Sequence, residues 1–548
     1  MKIITRLLCL AMYCIVFSTQ TYAGAFVHLF EWQWTDIASE CEDVLGPKGY
    51  AAVQVSPPQE SIDGDEWWTR YQPVSYEIAG RSGTREEFSD MVDRCEAVGV
   101  GIYVDAVINH MAAWNRDFPN VPYSPDDFHS CTADIDYSNS WSIQNCDLVG
   151  LNDLETESDY VRGKIADYMN DLIGLGVAGF RIDAAKHIPA EDISNIVSRL
   201  NGSPYIFQEV IGASGEAVQP DEYTYIGAVT EFNFTDTIGW YFKGNGTLSD
   251  IQNIGSWDGW LSSNSAVTFV ANHDNQRQDT DNIITHFDGE GVNNNAHVFT
   301  LAWPYGYPKV MSSYDWDYSD QGPPSVGAST CSNGWLCEHR NQEIANMVAF
   351  RNATDGENEI TNWWDNNSQQ IAFGRGSLGF VVINNEDYAL TRAFETSLPA
   401  GTYCDIVNGD YSDDSCSGTT ITVNDSGEAT IAVNANGAVA IYIDAVVTSD
   451  PDDTISFTCN NGYTYLGQSV YVVGDISELG NWAPESAVKL DPSNYPTWTG
   501  NITLPTDTDV EWKCMKRDED DTSAAIEWES GSNNSLNTST GTSAQSSF

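Results

Sequence analysis

The chain has 548 residues and a formal net charge of −55, from 24 basic and 79 acidic side chains. A charge of this sign excludes nucleic acids and anionic membranes as natural partners, and it fits a neutral ligand. Aromatic residues make up 12 % of the chain, including 18 Trp, which favours a carbohydrate ligand because sugar rings stack on aromatic faces. The length exceeds what one hydrophobic core supports, so we expect several domains.

The first segment of the chain is typical of a secretory signal peptide. Two basic residues precede an apolar run at 7–17, and the small residue Ala23 follows. The run is too short to span a membrane, so we expect residues 1–23 to be removed and the protein to be secreted as an extracellular monomer. Of the 12 cysteines, Cys9 and Cys14 lie in this segment. The even number that remains predicts disulfides in an exported chain without fixing their pairing.

Eight short apolar runs follow, each ending in polar residues and most of them preceding a helix-like segment. Such a series predicts a parallel (β/α)8 barrel, which we assign to residues 24–358. In barrels of this kind the active site lies at the carboxyl ends of the strands. The runs are 25–32, 51–58, 101–110, 179–187, 205–211, 228–234, 266–274 and 308–314.

One connection is much longer than the others, because residues 111–152 lack helical periodicity. A long irregular segment in a compact domain is usually functional, so we expect a small domain inserted after strand three. Residues 359–445 have an all-β pattern. An acidic linker at 446–454 then leads to a β-sandwich module at 455–548, whose Ser/Thr/Asn/Gly-rich tail is expected to be partly disordered.

Three carboxylates stand at or near the predicted strand ends, namely Asp183, Glu209 and Asp274. Glycoside hydrolysis requires two carboxylates, one to attack or stabilise the anomeric carbon and one to protonate the leaving oxygen. A lone Asp at a strand end is more often structural, but three that converge on one barrel mouth favour a catalytic site.

Several motifs together resemble the alpha-amylase family. Four segments resemble the four signature regions of that family: DAVINH (105–110), GFRIDAAKH (179–187), FQEV (207–210) and VANHDNQR (270–277). Two more segments resemble its chloride-dependent branch, which includes animal and some bacterial enzymes: WWTRYQPVSY (67–76) and YGYPKVMSSYDW (305–316). The resemblance runs from about residue 25 to residue 444. It implies a retaining enzyme that cleaves internal alpha-1,4-glucosidic bonds in starch, glycogen and maltooligosaccharides.

The resemblance also implies roles for single residues. Asp183 would be the nucleophile, Glu209 the general acid and then base, and Asp274 would hold substrate hydroxyls. His110 and His273 would bind the sugar at the cleavage point. The other substrate contacts would be the stacking platforms Trp67, Trp68 and Tyr71, and Lys186 and His187 on the leaving-group side.

By the same likeness, a structural calcium ion would join the barrel to the insertion. Asn109 and Asp153 match side-chain oxygen ligands, and Gln144 and His187 match positions that offer backbone carbonyls. Oxygen ligands suit a hard cation such as Ca²⁺. The ion would hold the insertion against the cleft.

An activating chloride is implied at Arg181, Asn272 and Lys309, although the family's third ligand is often Arg rather than Lys. Arg181 precedes Asp183 by two residues, and Asn272 precedes Asp274 by two. Because side chains two apart on a strand share a face, we expect the chloride ligands roughly 7 Å beneath the catalytic carboxylates. A bound chloride would offset the positive charges near the general acid and help it to keep its proton.

The family likeness further implies a disulfide pairing. The pairs are Cys41–Cys95, Cys131–Cys146, Cys331–Cys337 and Cys404–Cys416, and the remaining pair is Cys459–Cys514 in the last module.

The last module resembles the starch-binding module of glucoamylases and bacterial amylases. The likeness rests on VYVVGDISELGNW (470–482), WKCMKR (512–517) and IEW (526–528). Trp482 and Trp528 match the paired stacking tryptophans, and Lys513 matches their hydrogen-bonding lysine. The alternative is that the two tryptophans belong to the core of a β-sandwich.

Other functions remain open at this point. A related transglycosylase, or an amylase that releases one short maltooligosaccharide, would share the signature regions, although the chloride-branch motifs favour endo-hydrolysis. A non-catalytic glucan-binding protein is disfavoured because all three carboxylates are present.

Overall fold

The computed structural model describes residues 24–113, 116, 118–278, 281–447, 453–506, 508–519, 525–538 and 543–548. The predicted signal peptide and most of the predicted linker therefore lie outside the described residues. The chain divides into two compact units, one up to residue 410 together with 417–446, and one made of 411–416 and 447–548. No helix in these ranges is both long and apolar enough to cross a membrane.

The first unit contains a closed barrel of eight parallel strands, which confirms the predicted fold. Strand one closes the ring against strand eight, with Phe26 opposite Lys309. Each strand is shorter than the apolar run that predicted it, because the polar residues at the end of each run have already left the sheet. The strands, numbered one to eight in chain order, are Phe26–Leu29, Ala52–Val55, Gly101–Ala106, Gly179–Ile182, Tyr205–Gln208, Ala228–Thr230, Ala266–Phe269 and Tyr307–Ser312.

Helices follow most of the strands. In the helix Arg85–Ala97, Thr84 and Glu87 form a capping box at the start, and Phe88 and Met91 belong to its buried stripe. An apolar stripe of this kind lets a helix pack on the barrel. The longer helices are Trp34–Glu40, Arg85–Ala97, Asp159–Gly174, Ala190–Val197, Phe232–Phe242, Glu290–Ala302 and Gln342–Ala353.

The long connection after strand three has little regular structure. Two short strands, His110–Met111 and Asn152–Asp153, pair with each other at its base. A short helix, Ser140–Asn145, leads to Cys146, which is disulfide-bonded to Cys131. The paired strands bring the two ends of the insertion together beside the third barrel strand.

An all-β domain follows the barrel, as predicted. Its apolar side chains share one core, which includes Phe380, Tyr403 and Ile431. One antiparallel sheet consists of Ile360–Asp365, Gln370–Arg375, Gly379–Asn384 and Gly437–Tyr442. Two longer strand pairs also belong to the domain, Leu390–Glu395 with Glu428–Val433 and Gly401–Cys404 with Thr420–Val423.

The second unit is a β-sandwich around the buried tryptophans Trp498 and Trp512. One sheet consists of Asp491–Asn494, Thr497–Leu504, Asp453–Asn460 and Ser543–Ser547. The other consists of Val488–Lys489, Gln468–Gly474, Asp509–Asp518 and Glu527–Trp528, with Asn534–Asn537 beside it.

Part of the tail that was expected to be partly disordered has regular structure. Ser543–Ser547 forms an edge strand that pairs in parallel with Asp453–Asn460. The polar composition of this segment does not prevent strand formation, because the hydrogen bonds between neighbouring strands join backbone groups. A polar segment can therefore extend a sheet whose other strands supply the core.

Four of the implied disulfides are present, and Cys404 and Cys416 are also disulfide-bonded. The four pairs are Cys41–Cys95, Cys131–Cys146, Cys331–Cys337 and Cys459–Cys514.

Candidate active site

Three carboxylates meet in one cleft at the carboxyl ends of the barrel strands. Asp183 directly follows strand four and Glu209 directly follows strand five, whereas Asp274 precedes the short helix Asn275–Arg277 beyond strand seven. All three line a cavity of about 320 Å³. The sequence patterns located them because each apolar run ends where the chain turns into the mouth of the barrel.

Arg181 binds two of these carboxylates from below. Its Nη1 lies 2.8 Å from Asp183 Oδ1, and its Nη2 lies 2.6 Å from Glu209 Oε1. Nη1 also contacts Asp105 on strand three, at 2.5 Å. Asp105 was not among the predicted site residues, although the parallel register places it directly opposite Arg181. One buried guanidinium therefore forms ion pairs with three carboxylates.

Burial changes the protonation of this cluster. It raises the pKa of Asp183 well above its ordinary value, against the opposing charge of Arg181. Burial, and then the neighbouring Glu209, raise the pKa of Asp274 to about 7. The backbone N–H of Ala184 donates to Glu209 Oε2 over 3.0 Å and orients that carboxyl group. The cleft thus combines carboxyl groups in different environments, which acid–base chemistry requires.

An aromatic platform forms one side of the cleft. Trp67, Trp68 and Tyr71 lie in a 3-10 helix, Trp67–Tyr71, and all three line the cavity with His110. The Tyr71 ring stacks on His273 with ring centres 5.0 Å apart, and its hydroxyl donates to Asp105 over 3.0 Å. The platform is thereby tied to the base of the cleft.

Two ion pairs, one buried and one partly exposed, hold the backbone of this platform. Glu31 accepts hydrogen bonds from Arg70 and Arg81. Arg81 also donates to the backbone carbonyls of Glu66 and Trp67, over 3.1 Å each. The 3-10 helix is therefore fixed before any ligand arrives.

The opposite side of the cleft is polar. Lys186 and His187 line an adjoining cavity of about 340 Å³, which shares Glu209 and Asp274 with the first. Tyr137 from the insertion lies there too, with the Lys186 ammonium 4.9 Å from its ring centre. Sequence patterns did not indicate Tyr137, because the insertion has no periodicity that predicts which side chains face the cleft.

The residues expected to bind calcium lie around the base of the insertion. Asp153 is buried, and burial raises its pKa to about 7, opposed by bonds from His129 and Asn109. His129, which was not predicted, donates from Nδ1 to Asp153 over 2.6 Å. Burial lowers the pKa of His129, but its bonds to Asp153 and Glu157 raise it to about 9.

The two positions expected to offer backbone carbonyls belong to segments that are joined to each other by hydrogen bonds. Gln144 contacts the Tyr223 hydroxyl, which donates to the carbonyls of Lys186 and Ile188. The His187 ring bonds to the carbonyl of Ile143 over 2.9 Å. A buried carboxylate beside an amide and nearby carbonyls is a donor set that fits a hard cation. No group of three His, Cys, Asp or Glu that could hold a metal occurs in the described ranges, which is consistent with a set that contains one carboxylate.

Arg181 and Asn272, two of the expected chloride ligands, do not lie at the predicted depth beneath the catalytic carboxylates. Strand seven ends at Phe269, so Asn272 lies beyond the strand and the alternation argument does not apply to it. The long Arg181 side chain reaches up to the carboxylates instead of lying roughly 7 Å beneath them. Asn272 uses its side-chain oxygen to accept hydrogen bonds from the N–H groups of Asp274 and Asn275.

Lys309 and Arg181 are nevertheless two basic side chains buried in the barrel. Burial and the charge of Arg181 lower the pKa of Lys309 to about 7, and its ammonium lies 4.8 Å from the Phe269 ring centre. Both ring nitrogens of His28 lack hydrogen-bond partners within the residues described, whereas Arg181 Nη2 lies 2.6 Å from Glu209 Oε1. An unpartnered buried imidazole near two basic side chains fits a small anion or ordered water.

The predicted sugar-stacking residues of the second unit share one face of a sheet. Trp528 pairs with Met515 across two strands, and Lys513 lies two residues from Met515. Trp482 packs against the cluster that contains Met515. Trp528 is 41 % exposed, so it is not a core residue. Sequence patterns missed a second exposed pair, Tyr463 and Tyr495, with ring centres 6.1 Å apart.

Comparison with known proteins identifies three family domains in the chain. Family models described as "Alpha amylase, catalytic domain", "Alpha amylase, C-terminal all-beta domain" and "Starch binding domain" match residues 49–234, 361–444 and 453–547. An alpha-amylase of Streptomyces violaceus is 46 % identical over 532 residues, covering 92 % of this chain and 90 % of that protein. The crystal structure of alpha-amylase I from Eisenia fetida has a TM-score of 0.72 and 41 % identity, covering 77 % of this chain and 98 % of its own. A variant of the same Eisenia fetida enzyme was solved with maltohexaose, at the same TM-score of 0.72 and 41 % identity.

Proposed function

The chain belongs to the alpha-amylase family and is a glycoside hydrolase that acts on starch, and from that premise we propose that it cleaves internal alpha-1,4 bonds with retention of configuration. The observation that supports this most strongly is the contact of one guanidinium, Arg181, with both Asp183 and Glu209. Two carboxylates bound to one guanidinium are close enough for the retaining geometry, in which the carboxyl groups are about 5–5.5 Å apart.

The reaction proceeds in two displacements. Asp183 attacks the anomeric carbon while Glu209 transfers its proton to the glycosidic oxygen, which leaves with the rest of the glucan. Glu209, now a carboxylate, takes a proton from water, whose oxygen attacks the same carbon and releases Asp183. Asp274 binds sugar hydroxyls at the cleavage point, and its elevated pKa allows it to donate as well as accept hydrogen bonds.

One side of the cleft binds the sugar units before the bond that is cleaved, and the other side binds the leaving group. Trp67, Trp68 and Tyr71 stack against sugar rings before the cleavage point, and His110 and His273 bind the sugar at it. Burial lowers the pKa of His110 to about 4, so it binds as a neutral ring. Lys186 and His187 contact the leaving-group side. The maltohexaose bound to a variant of the Eisenia fetida enzyme supports a linear glucan as the ligand.

Asn109, Asp153 and the carbonyls of Gln144 and His187 hold a structural Ca²⁺. The ion supplies charge for the buried Asp153 carboxylate and does not enter the reaction. Because Asn109 follows strand three whereas Gln144 lies in the insertion, these ligands connect the two regions.

Arg181, Lys309 and Asn272 bind an activating chloride. The anion supplies negative charge beside Arg181. The same guanidinium contacts the proposed acid Glu209, so an anion held there would change the charge beside the catalytic carboxylates.

The second unit binds starch through Trp482, Trp528 and Lys513 and keeps the catalytic domain near an insoluble substrate. The enzyme is secreted as a monomer after removal of residues 1–23, which agrees with its disulfides.

Release of reducing ends from soluble starch tests the catalytic proposal. The unmodified enzyme should release them, with a mixture of products from internal cleavage. A single short product, or new alpha-1,4 bonds formed in place of hydrolysis, would instead identify a maltooligosaccharide-forming amylase or a transglycosylase.

A further inference from the structure

Another cavity lies at the opposite end of the barrel from the catalytic carboxylates. It has a volume of about 370 Å³, and we call it the base cavity. Its lining includes the first residues of strands five to eight, which are Tyr205, Ala228, Ala266 and Tyr307. The active site of such a barrel lies at the carboxyl ends of the strands, so the base cavity is separate from the cleft.

Two arginine side chains also line the base cavity. Arg351 lies on the helix Gln342–Ala353, and Arg375 ends a strand of the all-β domain. Both residues are buried, with 8 % and 2 % of their surface exposed. Burial, and then the charge of Arg351, lower the pKa of Arg375 to about 9. Two like charges therefore lie close together in a buried place.

Neither of these guanidinium groups forms an ion pair with a carboxylate that the structure describes. Backbone carbonyls are their acceptors instead, those of Trp303 and Gly306 for Arg351 and those of Ala302, Thr354 and Glu357 for Arg375. The bonds of Arg351 occupy two of its five N–H donors, and the others can bind a ligand. By contrast, Arg181 forms ion pairs with three carboxylates.

The lining of the base cavity has an excess of positive charge. Its acidic member is Asp355, an exposed side chain that acts on Arg351 and Arg375 through its charge without pairing with them. This local excess occurs in a chain whose formal net charge is −55. Guanidinium groups bind phosphate oxygens through parallel N–H···O bonds. Two of them match the charge of a phosphate monoester, which is close to −2 at neutral pH.

The rest of the base cavity suits a sugar attached to that phosphate. Its volume lies in the range of small-molecule sites. Exposed hydroxyl and amide side chains, those of Ser263, Asn264 and Asn358, line it and can bond to sugar hydroxyls. The rings of Tyr205 and Tyr307, with centres 5.7 Å apart, add aromatic surface for a sugar ring.

We propose that the base cavity binds a sugar phosphate, whose phosphate contacts Arg351 and Arg375 and whose ring lies among the polar and aromatic lining residues. The site is independent of the proposed hydrolysis, because the cleft lies at the other end of the strands. Its ligand would join the helix Gln342–Ala353 to the all-β domain. Binding should therefore raise the melting temperature of the enzyme.

Isothermal titration of the full-length enzyme with glucose 6-phosphate tests the proposal, with inorganic phosphate and glucose as comparison probes. Glucose 6-phosphate should bind most tightly, because it alone offers both the charge and the sugar. Equal affinities for glucose 6-phosphate and inorganic phosphate would overturn the role of the sugar. Failure of both to bind, or equal affinities for glucose and glucose 6-phosphate, would overturn the proposal as a whole.

Two exposed lining residues locate the site without altering the arginines. Asp355→Asn removes a negative charge and should strengthen binding of glucose 6-phosphate about two- to fivefold, whereas Asn264→Asp adds one and should weaken it by about the same factor. The matched control is Glu359→Gln, because Glu359 is an exposed acid of the same segment that does not line the cavity. Equal gains in Asp355→Asn and Glu359→Gln would reflect net charge alone and would contradict the site.

Two further variants separate the two ends of the barrel. Arg375→Gln should weaken binding about tenfold or more, and Lys309→Gln, at the catalytic end, should bind as the unmodified enzyme does. The opposite pattern would place the phosphate in the cleft and overturn the proposal. If Arg375→Gln does not fold in a melting experiment, Asp355→Asn and Asn264→Asp decide the matter. An enzyme that binds glucose 6-phosphate but does not hydrolyse starch would refute the proposed function and leave this site intact.

Discussion

At the scale of single residues, the chemistry depends on the contacts between two buried basic side chains and the carboxylates of the cleft. Arg181 and Lys309 face four acidic side chains, Asp105, Asp183, Glu209 and Asp274, of which the first three contact Arg181 directly. Acidic groups outnumber basic ones, so at least part of the cluster stays protonated near neutral pH. This mixture of ionised and protonated carboxyl groups is what the proposed nucleophile and acid require.

Replacing Glu209 with Gln tests the acid most simply. The Glu209→Gln variant keeps the size of the side chain but has no proton to transfer, so kcat on soluble starch should fall about 10²–10⁴-fold. Glu216→Gln is the matched control, because Glu216 lies in the adjoining cavity and pairs with Lys186. A larger loss in the control than in Glu209→Gln would show that the acid has been misassigned.

Chloride should raise kcat, because an anion that engages Arg181 weakens its contact with Glu209. The effect should be visible when kcat on soluble starch is measured with and without added chloride. Lys309→Gln removes one of the two buried basic groups and should reduce this dependence. Equal rates in chloride-free and chloride-saturated buffer for the unmodified enzyme would refute the role of the anion and leave the family assignment intact.

The sequence predicted individual site residues where backbone geometry determines their position. Asp183 and Glu209 follow buried strands directly, so a strand pattern is sufficient to find them. Asp105 was not predicted, because its importance comes from contacts between distant parts of the chain. Periodicity along one segment contains no information about such contacts.

At the scale of elements, the insertion is the part that most depends on added charge. Burial raises the pKa of Asp153 to about 7, and the region around it has few regular hydrogen-bonded elements. Ca²⁺ would stabilise the ionised carboxylate and link the insertion to strand three. The ion should therefore matter more for stability than for chemistry.

Removal of calcium should lower the melting temperature, since a ligand that binds only the folded state stabilises it by mass action. Scanning calorimetry with and without excess chelator measures the difference. An Asp153→Asn variant should melt lower and respond little to the chelator. Unchanged melting of the unmodified enzyme, with no metal found by elemental analysis, would contradict the site.

Strands were predicted most accurately where both of their faces are buried, because such strands must consist of apolar residues. All eight barrel strands are apolar runs enclosed by helices, which makes them recognisable without any structure. The edge strand Ser543–Ser547 was missed, because one of its faces meets solvent and its polar side chains resemble those of a disordered tail.

At the scale of the whole molecule, the two units have separable tasks. Trp528→Ala in the full chain should reduce hydrolysis of raw starch granules about tenfold or more and leave soluble starch nearly unaffected, because tethering raises only the local concentration of an insoluble substrate. Tyr388→Ala is a suitable control, since Tyr388 is an exposed aromatic of the all-β domain. Equal losses on both substrates would argue against tethering.

The stereochemistry of the first product tests the central claim most directly. Proton NMR of maltoheptaose hydrolysis, recorded before mutarotation equilibrates the products, identifies the anomer that the enzyme releases. A double displacement by Asp183 and Glu209 inverts the configuration twice, so the alpha anomer should appear first. Initial release of the beta anomer would contradict the retaining mechanism and the roles assigned to both carboxylates.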